Sequence, residues 1–334
     1  MLIDTHAHLN FDAYEADSEE VVKRTLENGV WVINVGTQYN TSKKAVEIAE
    51  KHEKGVYAAI GLHPIHLNTG LVKMKLDKEE AAFNSREEDF DYEKYKRLTQ
   101  SEKVVAVGEV GLDYYYKPKT RRKLELFKEK QREALLKQLN LAKELNLPVI
   151  FHCRMANQDL IEILSENSEI RPQRAVAHSF VGNLEELQRY LNFGFYIGFN
   201  GIIFKTIEGI KPNDSKAVIG TPSFQSVVFE ENIKNTPLDK ILVETDCPYL
   251  TPPPFENQRN EPMYVKYVAE KIAKIKNLRA KRTLFSSSPS FSFRENSAFE
   301  EIAKITTENA KNLFKIRAPR RDEGGKESKS LFDF

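Results

Sequence analysis

The sequence predicts a (β/α)8 barrel, the TIM-barrel architecture, as a single domain with loop insertions. Eight short β-rich runs recur along the 334 residues, and most are followed by a stretch with the apolar spacing of a helix. A polar residue, often an ionisable one, recurs where a run ends. Repeated strand and helix units fold most economically into a closed parallel sheet, and an open doubly wound sheet is the alternative.

The predicted strands start at the first residues of the chain, where Met1 to Ile3 form an apolar run suited to a buried parallel strand. The other seven predicted strands are 31–35, 56–60, 104–107, 147–151, 174–177, 194–199 and 240–243. Apolar residues at helical spacing predict helices at 17–28, 41–51, 121–145, 159–164, 183–191, 262–275 and 299–314. Strand therefore alternates with helix through most of the chain.

Three segments interrupt this alternation and are predicted to be loop insertions in a domain that spans residues 1–316. Residues 68–95 are acidic and poorly patterned, 211–236 are rich in Pro, Gly, Ser and Asn, and 279–296 include a serine-rich stretch. The first two follow predicted strands and can border a site at the strand ends. Residues 317–334 are polar and charged, and we expect a disordered tail there.

Composition narrows the class of protein. Charged residues make up 30% of the chain and hydrophobic residues 40%, which is typical of a folded, soluble protein. The formal net charge of +1 provides no global field for polyanions, so any binding of nucleic acid is expected to be local. No apolar run approaches the roughly 20 residues that span a bilayer, and we expect a cytoplasmic protein. Cys153 and Cys247 predict free thiols rather than a disulfide framework.

Two histidines follow the first predicted strand. His6 and His8 are two residues apart, and side chains at this spacing point to the same side of an extended backbone. Both imidazoles can therefore bind one metal ion. Two solvated histidines near a chain terminus are the alternative, and further ligands at equivalent places in the chain favour the metal site.

Other ionisable residues lie at or just after the ends of further predicted strands. They are His63, Glu109, His152, His178 and Asp246. The carboxyl ends of the strands share one face of a (β/α)8 barrel, and active sites are built on that face. We therefore expect these side chains to converge with His6 and His8, whereas His52 and His66 are expected at the surface. Ordinary polar residues at strand ends are the alternative interpretation.

The types of ligand indicate a hydrolase with two divalent ions. One tetrahedral ion needs four ligands, and the sequence offers six. The six candidate ligands are His6, His8, Glu109, His152, His178 and Asp246. A carboxylate can bridge two ions, and Glu109 is the expected bridge because its strand lies midway around the barrel. Asp246 is expected to be a ligand, a general base, or both in turn. A water activated by two ions attacks phosphorus or a carbonyl carbon, so the ligands alone do not separate these substrates.

The order and spacing of the motifs resemble the TatD family of metal-dependent deoxyribonucleases, within the amidohydrolase-like barrels. The motifs are His6-Ala7-His8, Gly61-Leu62-His63-Pro64, Gly108-Glu109-Val110-Gly111-Leu112-Asp113, His152-Cys153-Arg154, His178-Ser179-Phe180, Gly198-Phe199-Asn200-Gly201 and Glu244-Thr245-Asp246-Cys247-Pro248-Tyr249-Leu250. The resemblance extends from Met1 to about Phe314, except for the three insertions. It implies a TIM barrel, a two-metal site of the six ligands, and Mg²⁺-dependent hydrolysis of DNA, often from a 3′ end. Imidazole-rich ligation also suits Mn²⁺ or Zn²⁺.

The resemblance further implies residues that bind substrate. His63 fits the family's Gly-x-His-Pro pattern and would touch a substrate phosphate at the rim of the site. Asn200 also fits a family pattern. Arg154 would clamp a phosphate with its planar guanidinium group, and a salt bridge to a neighbouring carboxylate is the alternative. Ser179 stands where many members have Cys, a change that we expect to leave metal binding intact.

The resemblance thus implies a 3′–5′ exonuclease, and we expect it to bind DNA as a single strand or at chain ends. Near-neutral charge suits an enzyme that grips a few nucleotides better than one that coats a duplex. The three tyrosines 114–116 offer faces for base stacking, or else pack barrel loops. Two other functions stay open: a hydrolase of an ester or amide, such as a D-aminoacyl-tRNA deacylase, and a non-catalytic barrel scaffold, against which the six intact ligands speak. The oligomeric state is not predicted.

Overall fold

Eight parallel strands form one sheet in which each strand lies beside the next strand along the chain. The computed structural model describes residues 1–67, 87–205, 229–278 and 291–316, with the side chains of 291–297 excepted. The strands are β1 (Leu2–Ala7), β2 (Val30–Val35), β3 (Val56–Ile60), β4 (Val104–Asp113), β5 (Val149–Arg154), β6 (Ala175–Ala177), β7 (Tyr196–Phe199) and β8 (Ile241–Val243). Every pair of neighbours from β1 to β8 is parallel.

The sheet closes into a barrel. A parallel bridge between Ala7 and Cys247 joins the end of β1 to the chain that follows β8. The Asp246 N–H also donates to the His6 carbonyl at 2.8 Å, and the Thr5 hydroxyl donates to the Val243 carbonyl at 3.2 Å. The predicted TIM barrel is therefore confirmed, and the open doubly wound sheet is excluded.

Helices connect most of the strands. Those that the structure describes are α1 (Ser18–Glu27), α2 (Tyr39–Glu50), α3 (Tyr92–Leu98), α4 (Arg121–Glu144), α5 (Asn157–Glu166), α6 (Leu184–Asn192), α7 (Phe229–Asn235), α8 (Val265–Ile275) and α9 (Phe291–Phe314). Short 3₁₀ turns lie at Asp12–Tyr14, Pro64–Leu67, Gly201–Phe204, Leu238–Lys240 and Pro262–Tyr264. Within the described ranges, no helix is long and apolar enough to cross a bilayer.

Apolar side chains from seven strands fill the barrel interior. These residues belong to one buried cluster: Ile3, Ile33, Ala59, Ala106, Ile150, Val176 and Leu242. Leu313 and Phe314 of α9 join the same cluster. The guanidinium of Arg174, just before β6, donates to the Leu313 carbonyl at 2.8 Å, so the end of α9 covers the amino ends of the strands. The carboxyl ends are left for the site.

Several boundaries differ from the prediction. β4 ends at Asp113 instead of 107, and β5 ends at Arg154, so Glu109 and His152 lie inside strands. The described parts of the predicted insertions contain α3 and α7, and α9 starts at Phe291. The helix predicted at 299–314 therefore starts eight residues earlier, where the weak helix propensity of Ser and Phe yields to extension of a long helix. Residues 68–86, 206–228, 279–290 and the predicted tail 317–334 lie outside the described residues.

His66 is a second difference. Its side chain was predicted to lie at the surface, but the residue is only 1% exposed. Its Nδ1 lies 2.7 Å from the side-chain nitrogen of Gln38, at the start of α2. The 3₁₀ turn at Pro64–Leu67 folds the histidine inward, which a loop sequence does not reveal.

Candidate metal centre

Six predicted ligands converge at the carboxyl ends of the strands. His6 lies on β1, Glu109 on β4 and His152 on β5, while three others follow strands within a few residues: His8, His178 and Asp246. They line, or lie directly beneath, a cleft of about 280 Å³. The geometry thus brings together the side chains that the strand-end pattern singled out.

His6 and His8 point at one place. Their Nε2 atoms are 3.1 Å apart, as the alternation of side chains in an extended backbone predicts. The Nδ1 atom of His8 lies 2.8 Å from the Val35 carbonyl oxygen, which can only accept, so Nδ1 carries the proton. The lone pair of His8 Nε2 therefore faces His6 and the cleft, as metal ligation requires.

Glu109 lies between two sets of imidazoles. Its Oε2 is 3.4 Å from His6 Nε2, while its Oε1 is 2.7 Å from His152 Nδ1 and 3.6 Å from His178 Nε2. The side chain is 5% exposed. Burial raises the pKa of Glu109, but the histidines around it outweigh burial and hold the pKa well below its usual range. Glu109 is therefore an ionised carboxylate with one oxygen toward each set.

Asp246 completes the cluster from the opposite side of the barrel seam. Its Oδ1 lies 3.4 Å from His8 Nε2, and its Oδ2 lies 3.9 Å from His178 Nε2. Burial raises the pKa of Asp246, but His178 and His8 outweigh it and hold the pKa at about 2. The residue has a φ of 59°, a left-handed conformation that Asp tolerates better than most residues.

The donor set fits divalent cations. Two imidazole nitrogens 3.1 Å apart, with carboxylate oxygens 3.4 to 3.9 Å away, leave room for an ion at ordinary ligand distances of about 2.1 Å. Among the described residues, four groups can share an ion: His6, His8 and Glu109; His6, His178 and Asp246; Glu109, His152 and His178; and His63, Asp113 and His152. Glu109 and Asp246 are buried carboxylates beside these rings, and bound cations neutralise buried negative charge.

Two buried carboxylates that were assigned no role support the ligands from behind. Glu244 Oε1 lies 2.9 Å from His178 Nδ1 and accepts the Ser179 N–H at 2.6 Å. Burial lowers the pKa of His178, but Glu244 and Asp246 outweigh it and raise the pKa to about 10. Glu244 thus orients the ring so that Nε2 faces the centre, an arrangement common behind metal-bound histidines.

Asp113 has the corresponding position behind His152. Its Oδ2 lies 3.1 Å from His152 Nε2 and accepts from Arg154 Nε at 2.9 Å. Strand periodicity could have found both carboxylates, because Asp113 follows Glu109 by four residues and Glu244 precedes Asp246 by two. Residues at even spacing point to the same side of an extended chain.

The predicted substrate residues have unequal positions. His63 is buried, with Nε2 3.5 Å from Glu109 Oε1, so it lies inside the cluster and not at its rim. Arg154 lines the cleft and pairs with Asp113, which is the predicted alternative of a salt bridge. Asn200 is fully buried, where it donates to Ser179 Oγ and accepts the Ile202 N–H. Its polar atoms thus hold the turn after β7.

The tyrosines that follow β4 divide by exposure. Tyr114 is buried and donates to Asp159, so its ring packs in the fold and does not stack on substrate. Tyr115 is 53% exposed, and the guanidinium of Arg154 lies 4.4 Å above its ring. The ring of Tyr115 also contacts that of Tyr116 edge to face, with centroids 4.8 Å apart.

Known proteins resemble this chain along most of its length. A family model described as TatD related DNase matches residues 3–315. The uncharacterized metal-dependent hydrolase YabD of Bacillus subtilis (strain 168) is 38% identical over 318 residues, 95% of this chain and 100% of YabD. The 3′-5′ ssDNA/RNA exonuclease TatD of Escherichia fergusonii is 30% identical over 277 residues, 81% of this chain and 90% of that protein. The crystal structure of YJJV, a TatD homolog from Escherichia coli K12, has a TM-score of 0.67 at 27% identity and covers 95% of this chain and 98% of its own.

Proposed function

The chain belongs to the TatD-related DNase family of metal-dependent hydrolases, and we propose that it is a 3′–5′ exonuclease acting on single-stranded DNA. The position of Glu109 carries this proposal, because one carboxylate lies between His6 on one side and His152 and His178 on the other. Such an arrangement suits two divalent ions. The relative from Escherichia fergusonii that is named a 3′-5′ ssDNA/RNA exonuclease supports the choice of substrate.

The six ligands would divide between two ions. His6, His8 and Asp246 would hold one, His152 and His178 would hold the other, and Glu109 would be shared. Bound divalent ions lower the pKa of water and stabilise charge on phosphate oxygens. We propose Mg²⁺ as the ion in function, and Mn²⁺ or Zn²⁺ as ions that the imidazoles also accept.

Asp246 is proposed as the proton acceptor. Its pKa of about 2 keeps the carboxylate ionised at neutral pH, and it lies at the cleft. The oxygen of a water bonds to phosphorus, its proton passes to Asp246, and the bond from phosphorus to the 3′ oxygen of the preceding nucleotide breaks. The 3′ oxygen takes a proton from solvent, and a 5′-phosphorylated nucleotide is released.

His63 and Arg154 are proposed to hold the substrate phosphate. His63 Nδ1 accepts the Ile65 N–H at 3.0 Å, so the proton of the neutral ring is on Nε2, which faces the cluster. Burial and His152 keep the pKa of His63 well below its usual range, which maintains this neutral donor. Arg154 lies at the cleft wall and presents a planar group suited to phosphate oxygens.

The test is release of nucleotides from 5′-labelled single-stranded DNA with Mg²⁺ or Mn²⁺. We expect stepwise shortening from the 3′ end, and little shortening of a blunt duplex. Glu109→Gln keeps the size of the side chain but removes its charge, and should lower the rate by at least about 100-fold with loss of bound metal. Glu133→Gln, at an exposed site on α4, is the matched control and should retain the rate.

Three other results would change the conclusion. Release of the 5′ label as a mononucleotide would mean that the enzyme degrades DNA from the 5′ end. A metal-loaded protein that shortens no DNA would overturn the nuclease proposal and direct assays to ester and amide bonds, including aminoacyl-tRNA. A protein that takes up no metal from Mg²⁺, Mn²⁺ or Zn²⁺ would favour a non-catalytic barrel.

A further inference from the structure

The loop between β4 and α4, together with the first turn of α4, carries positive charge that the proposed chemistry does not use. Residues 117–123 contain no acidic residue and hold Lys117, Lys119, Arg121, Arg122 and Lys123. Arg121 pairs with Glu125 at 3.0 Å. In the part of the chain that the structure describes, the other four have no carboxylate within 4.0 Å. A protein with a net charge of +1 therefore concentrates positive charge in residues 117–123.

Apart from the pair of Arg121 with Glu125, the charges in the first turn of α4 do not stabilise the helix. The first turn of α4 contains Arg121, Arg122 and Lys123 and has no acidic residue. The helix dipole favours anions at this end, so cations here destabilise the helix. The preceding residue, Thr120, makes no capping hydrogen bond with its side chain. An anionic partner bound to these residues would instead interact favourably with the helix dipole.

The basic segment lies on the same face of the barrel as the cleft. The amino end of a helix that follows a strand is at the carboxyl end of that strand, where the candidate site lies. Tyr115 donates its N–H to Asp113 Oδ1 at 2.9 Å, and Asp113 lines the cleft. Lys117 and Lys119 follow Tyr115 by two and four residues, at most about 7 and 14 Å of chain.

An aromatic pair, the exposed Tyr115 and the half-buried Tyr116, connects the cleft to these charges. The guanidinium of Arg154 lies 4.4 Å above the ring of Tyr115 and 5.6 Å above that of Tyr116. Arg154 itself lines the cleft. Aromatic faces beside positive charge are the features with which proteins bind single-stranded nucleic acid without reading its sequence, through stacked bases and phosphate contacts.

We infer that Tyr115, Tyr116 and the basic residues of 117–123 form a docking surface, the β4–α4 surface, for the part of a single-stranded nucleic acid that extends out of the cleft. The tyrosines stack on bases, and the lysines and arginines contact phosphates. This inference rests on the proposed function, since the cleft must hold the end of the same chain. It implies that a long chain binds better than a dinucleotide and that the difference depends on salt.

The test compares two triple charge reversals that change net charge equally. Lys119→Glu/Arg122→Glu/Lys123→Glu alters the β4–α4 surface. Lys54→Glu/Lys137→Glu/Lys143→Glu alters three exposed lysines on α4 and beside the amino end of β3. Affinity is measured by fluorescence anisotropy with 20-nucleotide phosphorothioate DNA and with the matching RNA, at several salt concentrations.

The surface variant should bind at least tenfold more weakly than the intact protein and should show a salt slope smaller by about 2, as expected for three lost phosphate contacts. The ratio of kcat/KM on a 20-nucleotide chain to that on a dinucleotide should fall by a similar factor. The control should change affinity less than twofold. Tyr115→Ala should weaken binding by about tenfold, whereas Tyr115→Phe, which retains the stacking face, should not.

The outcomes separate this inference from the proposed function. If the intact protein shortens DNA but both triple variants have the same affinity and salt slope, the surface is overturned and the function stands. If the surface variant loses binding selectively while no nucleotide is ever released, the surface stands and the nuclease proposal is overturned. Equal affinities of Tyr115→Ala and Tyr115→Phe would mean that the ring of Tyr115 does not contribute to binding at the β4–α4 surface.

Discussion

At the scale of single residues, Glu244 is expected to act on metal binding through His178. Its carboxylate is buried, lies 2.9 Å from His178 Nδ1 and accepts the Ser179 N–H. Glu244→Gln retains the shape of the side chain. Shape matters here because the carboxylate packs against Gly198, where an added Cβ would lie 2.5 Å from it. Removal of the charge should weaken metal binding by about 10- to 100-fold, as is typical when a partner of a metal-bound histidine is lost.

The measurement for Glu244 is activity as a function of metal concentration, with bound metal counted in parallel. The rate of Glu244→Gln should recover at high metal, because the substitution leaves every proposed ligand in place. The exposed Glu133→Gln should follow the intact protein throughout. A Glu244→Gln protein with an unchanged metal requirement and a lower rate at saturation would show that Glu244 does not act through the metal.

The same residue scale shows what the sequence could predict about the site. His6, His8, Glu109, His152, His178 and Asp246 were found because each is at or near a strand end, and topology alone brings strand ends together. The burial of His63 and the pairing of Arg154 with Asp113 depend instead on side-chain directions in loops and at the cleft wall. Such directions leave no periodic signal in the sequence.

At the scale of secondary-structure elements, β4 shows why a boundary was missed. The prediction ended this strand at 107 because Gly108 and Gly111 are typical of turns. The strand continues because residues 110–113 pair with 151–154 of β5. A side chain at Gly111 would put Cβ 1.9 Å from the His152 carbonyl oxygen, so the glycine permits the close approach of two strands that carry Glu109 and His152.

Gly111→Ala is therefore expected to damage both the barrel and the metal centre. The residue has a φ of +150°, and the new Cβ would meet backbone that cannot rotate away. We expect the free energy of unfolding to fall by roughly 3 kcal/mol and metal affinity to fall at least about tenfold, since β4 and β5 must separate. Urea unfolding and metal titration measure the two effects.

Gly194→Ala is the matched control for this prediction. Gly194 also has a positive φ, +83°, but no atom lies within 4 Å of the position that a Cβ would take. The substitution should lower the free energy of unfolding by only about 1 kcal/mol, from backbone strain alone, and leave metal affinity unchanged. Equal effects of the two substitutions would mean that backbone strain, and not the contact between β4 and β5, causes the loss of folding free energy.

At the scale of the whole molecule, the architecture was predictable because parallel topology leaves few alternatives. Eight β-rich runs with intervening helices fit a closed barrel, and contacts of β1 with β8 and the chain after it, such as the bridge between Ala7 and Cys247, complete the ring. The position of α7 and the start of α9 were not predictable in the same way, because they lie in segments whose composition masks the helical period. Global composition also hid the local charge of residues 117–123, which a net charge of +1 averages away.

Metal removal should weaken the whole barrel, because the proposed ligands join distant points of the ring. His6 and Asp246 face each other across the seam between β1 and β8, and Glu109 and His152 come from β4 and β5. Asp4 strengthens the same seam by accepting from the Thr245 N–H at 2.9 Å. Ions held between these strands would bind the folded state and not the unfolded chain, which stabilises the fold by mass action.

Metal at about 100 times its Kd should add about 2.7 kcal/mol to the free energy of unfolding and raise Tm by roughly 5 °C over that in a chelator. Differential scanning calorimetry with EDTA or with Mg²⁺ or Mn²⁺ measures the shift. Glu109→Gln should lose most of it, because the shared carboxylate contributes to both proposed ions, whereas Glu133→Gln should retain it. An equal shift of Tm in Glu109→Gln would mean that the stabilising metal binds elsewhere on the barrel. The candidate metal centre would then not be what stabilises the seam.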